Sequence, residues 1–221
     1  MKFRHEYKHR VNALDIMLLR SRLSAIAGHD SHCNEDGAYL IRSLYFDNYM
    51  DKALREKLDG VNKREKFRIR YYENDTSFIR LEKKSKINGL CSKAQARITR
   101  DECQRIIDGD IEFLLYSESE LLREFYAKVS SELLRPKCIV AYRRECFIYP
   151  PGNVRVTLDM DISGSNNVQE FLNPDLKFLH LYHDSVLEVK WDEFLPEIIR
   201  DAVQLKTRRS AAFSKYAAVR V

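Results

Sequence analysis

The chain has 221 residues with 38 Lys or Arg against 33 Asp or Glu, a net charge of +5 and a pI near 8.9. That length can bury a substantial core, and no Pro/Gly/Ser-rich linker or composition break divides it, so one domain over 1–221 is expected. So mild a positive surplus does not by itself mark a nucleic-acid protein. The five cysteines, Cys33, Cys91, Cys103, Cys138 and Cys146, are odd in number and scattered, which argues against a disulfide framework or a structural zinc site. With no N-terminal apolar run and no apolar stretch near about 18 residues, the expectation is a chain without signal peptide or membrane span, placed in the cytoplasm.

In chain order, residues 2–11 read as a strand, after which Leu14, Leu18, Leu19, Leu23 and Ile26 recur at helical spacing until Gly28. A strand around 39–46 and a short charged helix near 51–58 follow. Residues 63–98 predict a three-strand antiparallel meander with turns at Asn74-Asp75 and Asn88-Gly89. Thr99-x-x-Glu102 is a capping box that starts a helix to Ile107, and 118–134 is a second amphipathic helix. Two strands near 138–149 and 153–160 are joined by Pro150, Pro151 and Gly152. A strand at 186–191, a helix over 193–205 started by Pro196, and a basic tail complete the chain.

Inside these strands Lys and Arg recur at every second position. Residues 66–73 read Lys66, Phe67, Arg68, Ile69, Arg70, Tyr71, Tyr72, Glu73, and Phe78, Arg80, Leu81, Glu82 and Lys84 repeat the device. Successive strand side chains leave opposite faces, so one face is apolar and the other cationic. Two architectures satisfy that pattern. Apolar faces stacked together give a sandwich. A barrel turned inside out gives a charged tunnel covered by the amphipathic helices, and its like charges require water and bound anions. The second is the expected fold: α+β, a closed eight-stranded antiparallel barrel with a polar, basic interior.

Several segments carry a resemblance to a known family: Arg4-His5-Glu6-Tyr7-Lys8, Ser43-Leu44-Tyr45-Phe46-Asp47, residues 66–72, Leu81-Glu82-Lys83-Lys84, Tyr142-Arg143-Arg144, residues 154–159, Leu187-Glu188-Val189-Lys190 and Phe213-Ser214-Lys215-Tyr216. In this order they resemble the polyphosphate polymerase domain of the vacuolar transporter chaperone family, a branch of the triphosphate tunnel metalloenzymes. The resemblance implies a tunnel in which ATP and a growing polyphosphate chain meet with Mn2+ or Mg2+, manganese being the usual preference. It implies catalytic phosphate clamps at Lys8, Arg68, Arg70, Lys84, Arg144 and Arg155, and substrate contacts at Lys66, Lys93, Tyr142, Lys190, Ser214 and Lys215. It makes Glu188 the metal-binding glutamate, with Glu6 and Glu82 as further metal candidates or as interior neutralisers of Lys8 and Lys84. Alternation agrees on the charged set and selects Lys84 over Lys83, which shares parity with Leu81.

Other residues carry plainer readings. Tyr45, Phe46, Tyr71 and Tyr72 are expected mainly as packing. His180 and His183 lie outside the matched segments, and Asp159 reads as a strand-end cap, with a second metal contact as the alternative. The Arg208-Arg209 pair is either a solvated helix end or an entry funnel. Two departures bear on function. Hydrolytic relatives carry Glu-x-Glu-x-Lys on the first strand where this chain has Arg4, Glu6 and Lys8, and Ala212 stands where eukaryotic members often have a basic residue. The expected activity is therefore ATP-dependent extension of polyphosphate, with a triphosphatase or a non-catalytic polyphosphate binder as rivals. No nucleic-acid partner is expected, and a separate membrane partner is left open.

Overall fold

The computed structural model describes residues 4–31, 33–34, 36–180, 185–205 and 213–220. Its elements are β1 (His5–Val11), α1 (Ala13–Ser24), β2 (Gly28–His29), β3 (Ala38–Asp47), α2 (Lys52–Leu58), β4 (Arg64–Tyr72), β5 (Asp75–Ile87), β6 (Leu90–Ile98), α3 (Arg100–Asp108), α4 (Glu120–Glu132), β7 (Arg135–Tyr149), β8 (Val154–Ser165), β9 (Leu179–His180), β10 (Ser185–Trp191), α5 (Glu197–Ala202) and α6 (Lys215–Arg220).

Eight long strands form one curled antiparallel sheet in the order β1, β10, β8, β7, β3, β4, β5, β6, with the two-residue β2 and β9 on β7 and β8. The end strands meet at an isolated bridge between Arg4 and Cys91, whose backbone groups exchange hydrogen bonds of 3.1 and 3.4 Å. Among the described residues this touching point replaces the continuous ladder that a closed barrel would have. The β4–β5 and β5–β6 hairpins turn through left-handed pairs, Glu73 with Asn74 and Asn88 with Gly89, the backbone that matches the strands' twist. Pro136, which has no amide to give the ladder, sits in β7 at the register shift opposite Tyr45 and Phe46.

The apolar strand faces are covered by helices, which rules out the sandwich. Leu19 and Leu23 of α1 and Ile199 of α5 pack on Phe147, Val156, Leu158, Leu187 and Val189. Cys103, Ile106 and Ile107 of α3 and Leu121, Leu122 and Phe125 of α4 pack on Phe67, Ile69, Leu81 and Ile98. Both α1 and α3 begin with reciprocal capping boxes, Asn12 with Asp15 and Thr99 with Glu102. Helix α1 ends at Ser24 rather than running on to Gly28, which instead opens the short β2 on β7.

The interior is not uniformly basic, contrary to expectation. The end of the chain, read as a basic tail, folds from 215 into α6 and enters the curled sheet. There Phe213 and Tyr216 join Tyr39, Ile41, Tyr45, Cys138, Val140, Cys146, Ile162 and Val186 in a buried cluster. One part of the bore is thus filled with hydrocarbon, and the cations line the rest.

Candidate functional site

Antiparallel register decides which charges face one another across strands. Lys8 lies opposite Glu188, Glu6 opposite Lys190, Arg144 opposite Asp159 and Arg68 opposite Glu82. Like charges also meet: Lys66 opposite Lys84, Lys84 opposite Lys93, and Lys190 opposite Arg155. Directly opposed like charges destabilise a sheet unless an anion sits between them.

A cavity of about 370 Å³ occupies this wall. Every residue expected to touch substrate or act in catalysis lines it: Lys8, Lys66, Arg68, Arg70, Lys84, Lys93, Tyr142, Arg144, Arg155, Lys190, Ser214 and Lys215. Arg4, Glu6, Tyr45 and Glu188 line it too, so eleven Lys or Arg side chains and two Glu surround one space. Lys83 points the other way, as parity predicts, to Glu65 at 2.9 Å and to Glu124 of α4.

Buried carboxylates behind the lining hold the cations in place. Glu82, 1% exposed, accepts from Arg68 Nε at 2.8 Å and Lys93 Nζ at 3.2 Å, with Arg70 Nη1 at 3.8 Å. Asp159 accepts from Arg144 Nε and Nη2 at 2.6 and 2.8 Å and from Lys215 Nζ. It is fully buried at mid-strand because β8 continues to Ser165, so it is not the strand-end cap that its sequence position suggested. Asp30 and the Tyr39 hydroxyl each accept from Arg155 Nη2 at 2.8 Å. Arg70 is fixed by the Ser43 hydroxyl at 3.1 Å and the Tyr142 hydroxyl at 2.9 Å. Arginines aimed in this way keep planar donors ready for phosphate oxygens.

The electrostatics show cations crowded beyond what the carboxylates neutralise. Burial, only partly offset by Tyr45, together with the like charges of Lys84 and Arg68 brings Lys66 down to about 8. Burial set against the attraction of Glu188 brings Lys190 to about 8 as well. Burial would raise the Tyr45 phenol, yet Arg68, Lys66 and Arg70 pull it down to about 7. Its hydroxyl accepts from Arg68 Nη1 at 3.0 Å, so Tyr45 belongs to the site rather than to packing alone. Phe46 and Tyr71 do pack on the outer face, the Tyr71 hydroxyl donating to the Phe171 carbonyl at 2.7 Å.

Of the three metal candidates, Glu6 and Glu188 reach the cavity surface and Glu82 does not line it. Lys8 lies 3.5 Å from Glu6 and 3.2 Å from Glu188, and Lys190 lies 3.7 and 3.1 Å from them. Burial opposes ionisation of Glu188, but Lys190 and Lys8 hold its carboxyl well below the usual range. Two hard, ionised carboxylates beside a phosphate-sized basic space fit Mg2+ or Mn2+, which take one or two carboxylates and complete their shell with phosphate oxygens and water. No cluster of three or more His, Cys, Asp or Glu suited to a metal is found among the described residues. His180 is exposed on β9, while His183, Arg208, Arg209 and Ala212 lie outside the described residues.

The VTC domain family profile matches residues 3–220. The chain belongs to the VTC domain family. No curated protein matches it by sequence. Three solved structures share its fold at low identity. HpAC1 from Hippeastrum, an adenylyl cyclase candidate with a dominant triphosphatase activity, is 16% identical, with 98% of this chain and 95% of that one covered at a TM-score of 0.59. PH1012 from Pyrococcus horikoshii is 15% identical, with 98% and 99% covered at 0.53. An adenylate cyclase candidate from Bacillus halodurans is 16% identical, with 86% and 80% covered at 0.52. This VTC domain thus shares with these structures its curled antiparallel sheet and covering helices. The sequence pattern exposed its lining cations, missed Asp30 and Tyr39, and gave Asp159 the role of a cap instead of a partner for Arg144 and Lys215. Parity with Arg155 on β8 was the available signal for Asp159; Asp30 and Tyr39 come from segments that only the fold brings to Arg155.

Proposed function

We propose that this VTC domain transfers the γ-phosphoryl group of ATP to the terminal oxygen of an inorganic polyphosphate chain. The bond between the β-γ bridging oxygen and the γ-phosphorus breaks, a bond from the polymer's terminal oxygen to that phosphorus forms, and ADP leaves. The observation that carries this reading is the row of like-charged cross-strand neighbours, Lys66, Lys84 and Lys93, facing the same cavity as the carboxylate-anchored Arg68, Arg70 and Arg144. Such a wall is stabilised by a bound polyanion, and phosphoryl transfer needs mainly in-line positioning and charge compensation. Arg68, Arg70, Arg144 and Arg155 clamp phosphate oxygens through planar forks; Lys8, Lys84 and Lys93 act as point charges. Lys66, Lys190, Tyr142, Ser214 and Lys215 line the path beside them. The attacking terminal phosphate is already anionic, so no general base is needed.

Glu188 and Glu6 would hold a Mn2+ or Mg2+ ion, which supplies neutralisation of phosphate charge when bound. Among the described residues no helix is long and apolar enough to cross a membrane; a cytoplasmic site of action is part of this proposal. Triphosphate hydrolysis is the second reading, favoured by the fold shared with the Hippeastrum triphosphatase. Incubation with γ-labelled ATP and manganese separates them: a ladder of labelled polymer supports transfer, free phosphate alone supports hydrolysis, and intact ATP supports a binding module.

A further inference from the structure

Six lysines line the cavity, and five of them are matched by carboxylates. Lys8 and Lys190 lie 3.2 and 3.1 Å from Glu188, Lys84 lies 2.9 Å from Glu6, Lys93 lies 3.2 Å from Glu82, and Lys215 pairs with Asp159. Lys66 differs. Among the described residues no carboxylate comes within ion-pair distance of its Nζ, which stands instead over the Tyr45 ring, 5.2 Å from the centroid. Across the strands it faces Lys84, and Arg68 follows two positions on along the same face of β4. Burial foremost, partly opposed by Tyr45 and aided by the like charges of Lys84, Arg68 and Lys8, brings its amine to about 8. A lysine desolvated among other cations is a nucleophile, because its neutral form is populated near neutral pH.

We propose that Lys66 is an acylation site for acyl phosphates, the mixed anhydrides of a carboxylic acid and phosphoric acid, which enter the cavity by their phosphate group. Arg68 and Arg70, aimed into the same space by Glu82, Ser43 and Tyr142, hold the phosphate half and bring the carbonyl carbon to the amine. Lys66 Nζ attacks that carbon and a C–N bond forms. The bond from the carbon to the bridging oxygen breaks, and orthophosphate leaves with the electron pair and takes up the proton that the amine loses. Lys190 also titrates at about 8, but Glu188 and Glu6 stand 3.1 and 3.7 Å from its Nζ and repel an anionic reagent. The amide formed at Lys66 is uncharged, so the row of Lys66, Lys84 and Lys93 loses one cation and its hold on a polyanion weakens. The inference rests on phosphate binding in this cavity and not on which phosphoryl transfer takes place there.

Incubation of the full chain with acetyl phosphate at pH 8, followed by digestion and mass spectrometry, tests the site. Lys66 should be acetylated at least about tenfold faster than the exposed Lys177, and saturating tripolyphosphate should slow Lys66 without slowing Lys177. Acetic anhydride, which carries no phosphate, should show a smaller preference for Lys66. Lys66 modified no faster than Lys177, equally fast with tripolyphosphate present, or with the same preference by acetic anhydride would overturn the proposal and leave the polymerase reading standing. A melting temperature that tripolyphosphate fails to raise would overturn phosphate binding in the cavity, and the proposal with it.

Discussion

Arg70 and Lys84 show how a single side chain in this wall acquires its role. Arg70 is 5% exposed, held by Ser43 and Tyr142, and points a preorganised guanidinium into the cavity; Lys84 is tethered by Glu6 at 2.9 and 3.0 Å. Replacing either by alanine is expected to lower polymer synthesis by about a hundredfold, the scale seen when one preorganised charge donor is removed from an active site. Unchanged yield in a labelled-ATP assay would refute the roles assigned to them. The depressed Lys66 and Lys190 make a pH prediction at the same scale. Both titrate near 8 in the folded chain and near the ordinary lysine value when unfolded, so above pH 8 the unfolded chain binds more protons and stability rises with pH. Tyr45, lowered to about 7, acts in the same direction from pH 7 upward. Above pH 9 the buried thiols of Cys103, Cys138 and Cys146, raised by burial to about 12, 12 and 11, work against the trend. The melting temperature of the ligand-free protein should therefore climb between pH 7 and 9 and then flatten. A curve that falls across that window would contradict the crowding of cations, and Lys66→Gln/Lys190→Gln should remove the lysines' share of the climb, roughly half, and leave the part that Tyr45 supplies. Alternation exposed both lysines in the sequence because residue parity on a strand is local; their lowered proton affinity is a sum over neighbours from other strands and was not legible.

Helix α6 carries the main lesson among the elements. Before it stands Ser214, whose hydroxyl caps the helix by accepting from the Ala217 amide at 3.4 Å, but six residues carry no apolar stripe long enough to announce a helix. In the fold it is pinned from three sides: Lys215 to Asp159, the Tyr216 hydroxyl to Asp47 at 2.8 Å, and Arg220 to Asp51 at 2.9 Å. Asp47 is itself committed to α2, accepting from the amides of Ala53 and Leu54 at 2.9 and 3.1 Å. One buried carboxylate thus joins the start of α2 to the plug that fills part of the bore. Removing the hydroxyl with Tyr216→Phe should cost about 2 kcal/mol, the usual worth of a buried hydrogen bond to a charged group, read as a lowered urea midpoint at unchanged slope. An unaltered midpoint would mean that α6 is held by packing alone. By contrast α3 was fully legible, since its capping box Thr99 and Glu102 and its buried Cys103, Ile106 and Ile107 lie within one short stretch. Short helices docked by distant partners escape sequence patterning because tertiary contacts, not propensity, stabilise them.

For the molecule as a whole, the balance of charge implies that ligand and fold are energetically linked. Tripolyphosphate at about 1,000 times its dissociation constant should stabilise the protein by roughly 4 kcal/mol, measured as a rise in melting temperature; no shift with any phosphate polymer would contradict an anion-filled bore. By itself the amino-acid sequence determined that strands would present one apolar and one cationic face, that helices would be available to cover the apolar one, and which lysines and arginines share a face. Those features follow from a two-residue period and from patterns within a few turns of chain. Only the tertiary structure decided that Asp159 faces Arg144 and Lys215, that Asp30 reaches Arg155, and that the last helix turns inward. Each of these joins residues far apart along the chain, and strand order and register, which bring them together, are set by the packing of the whole sheet.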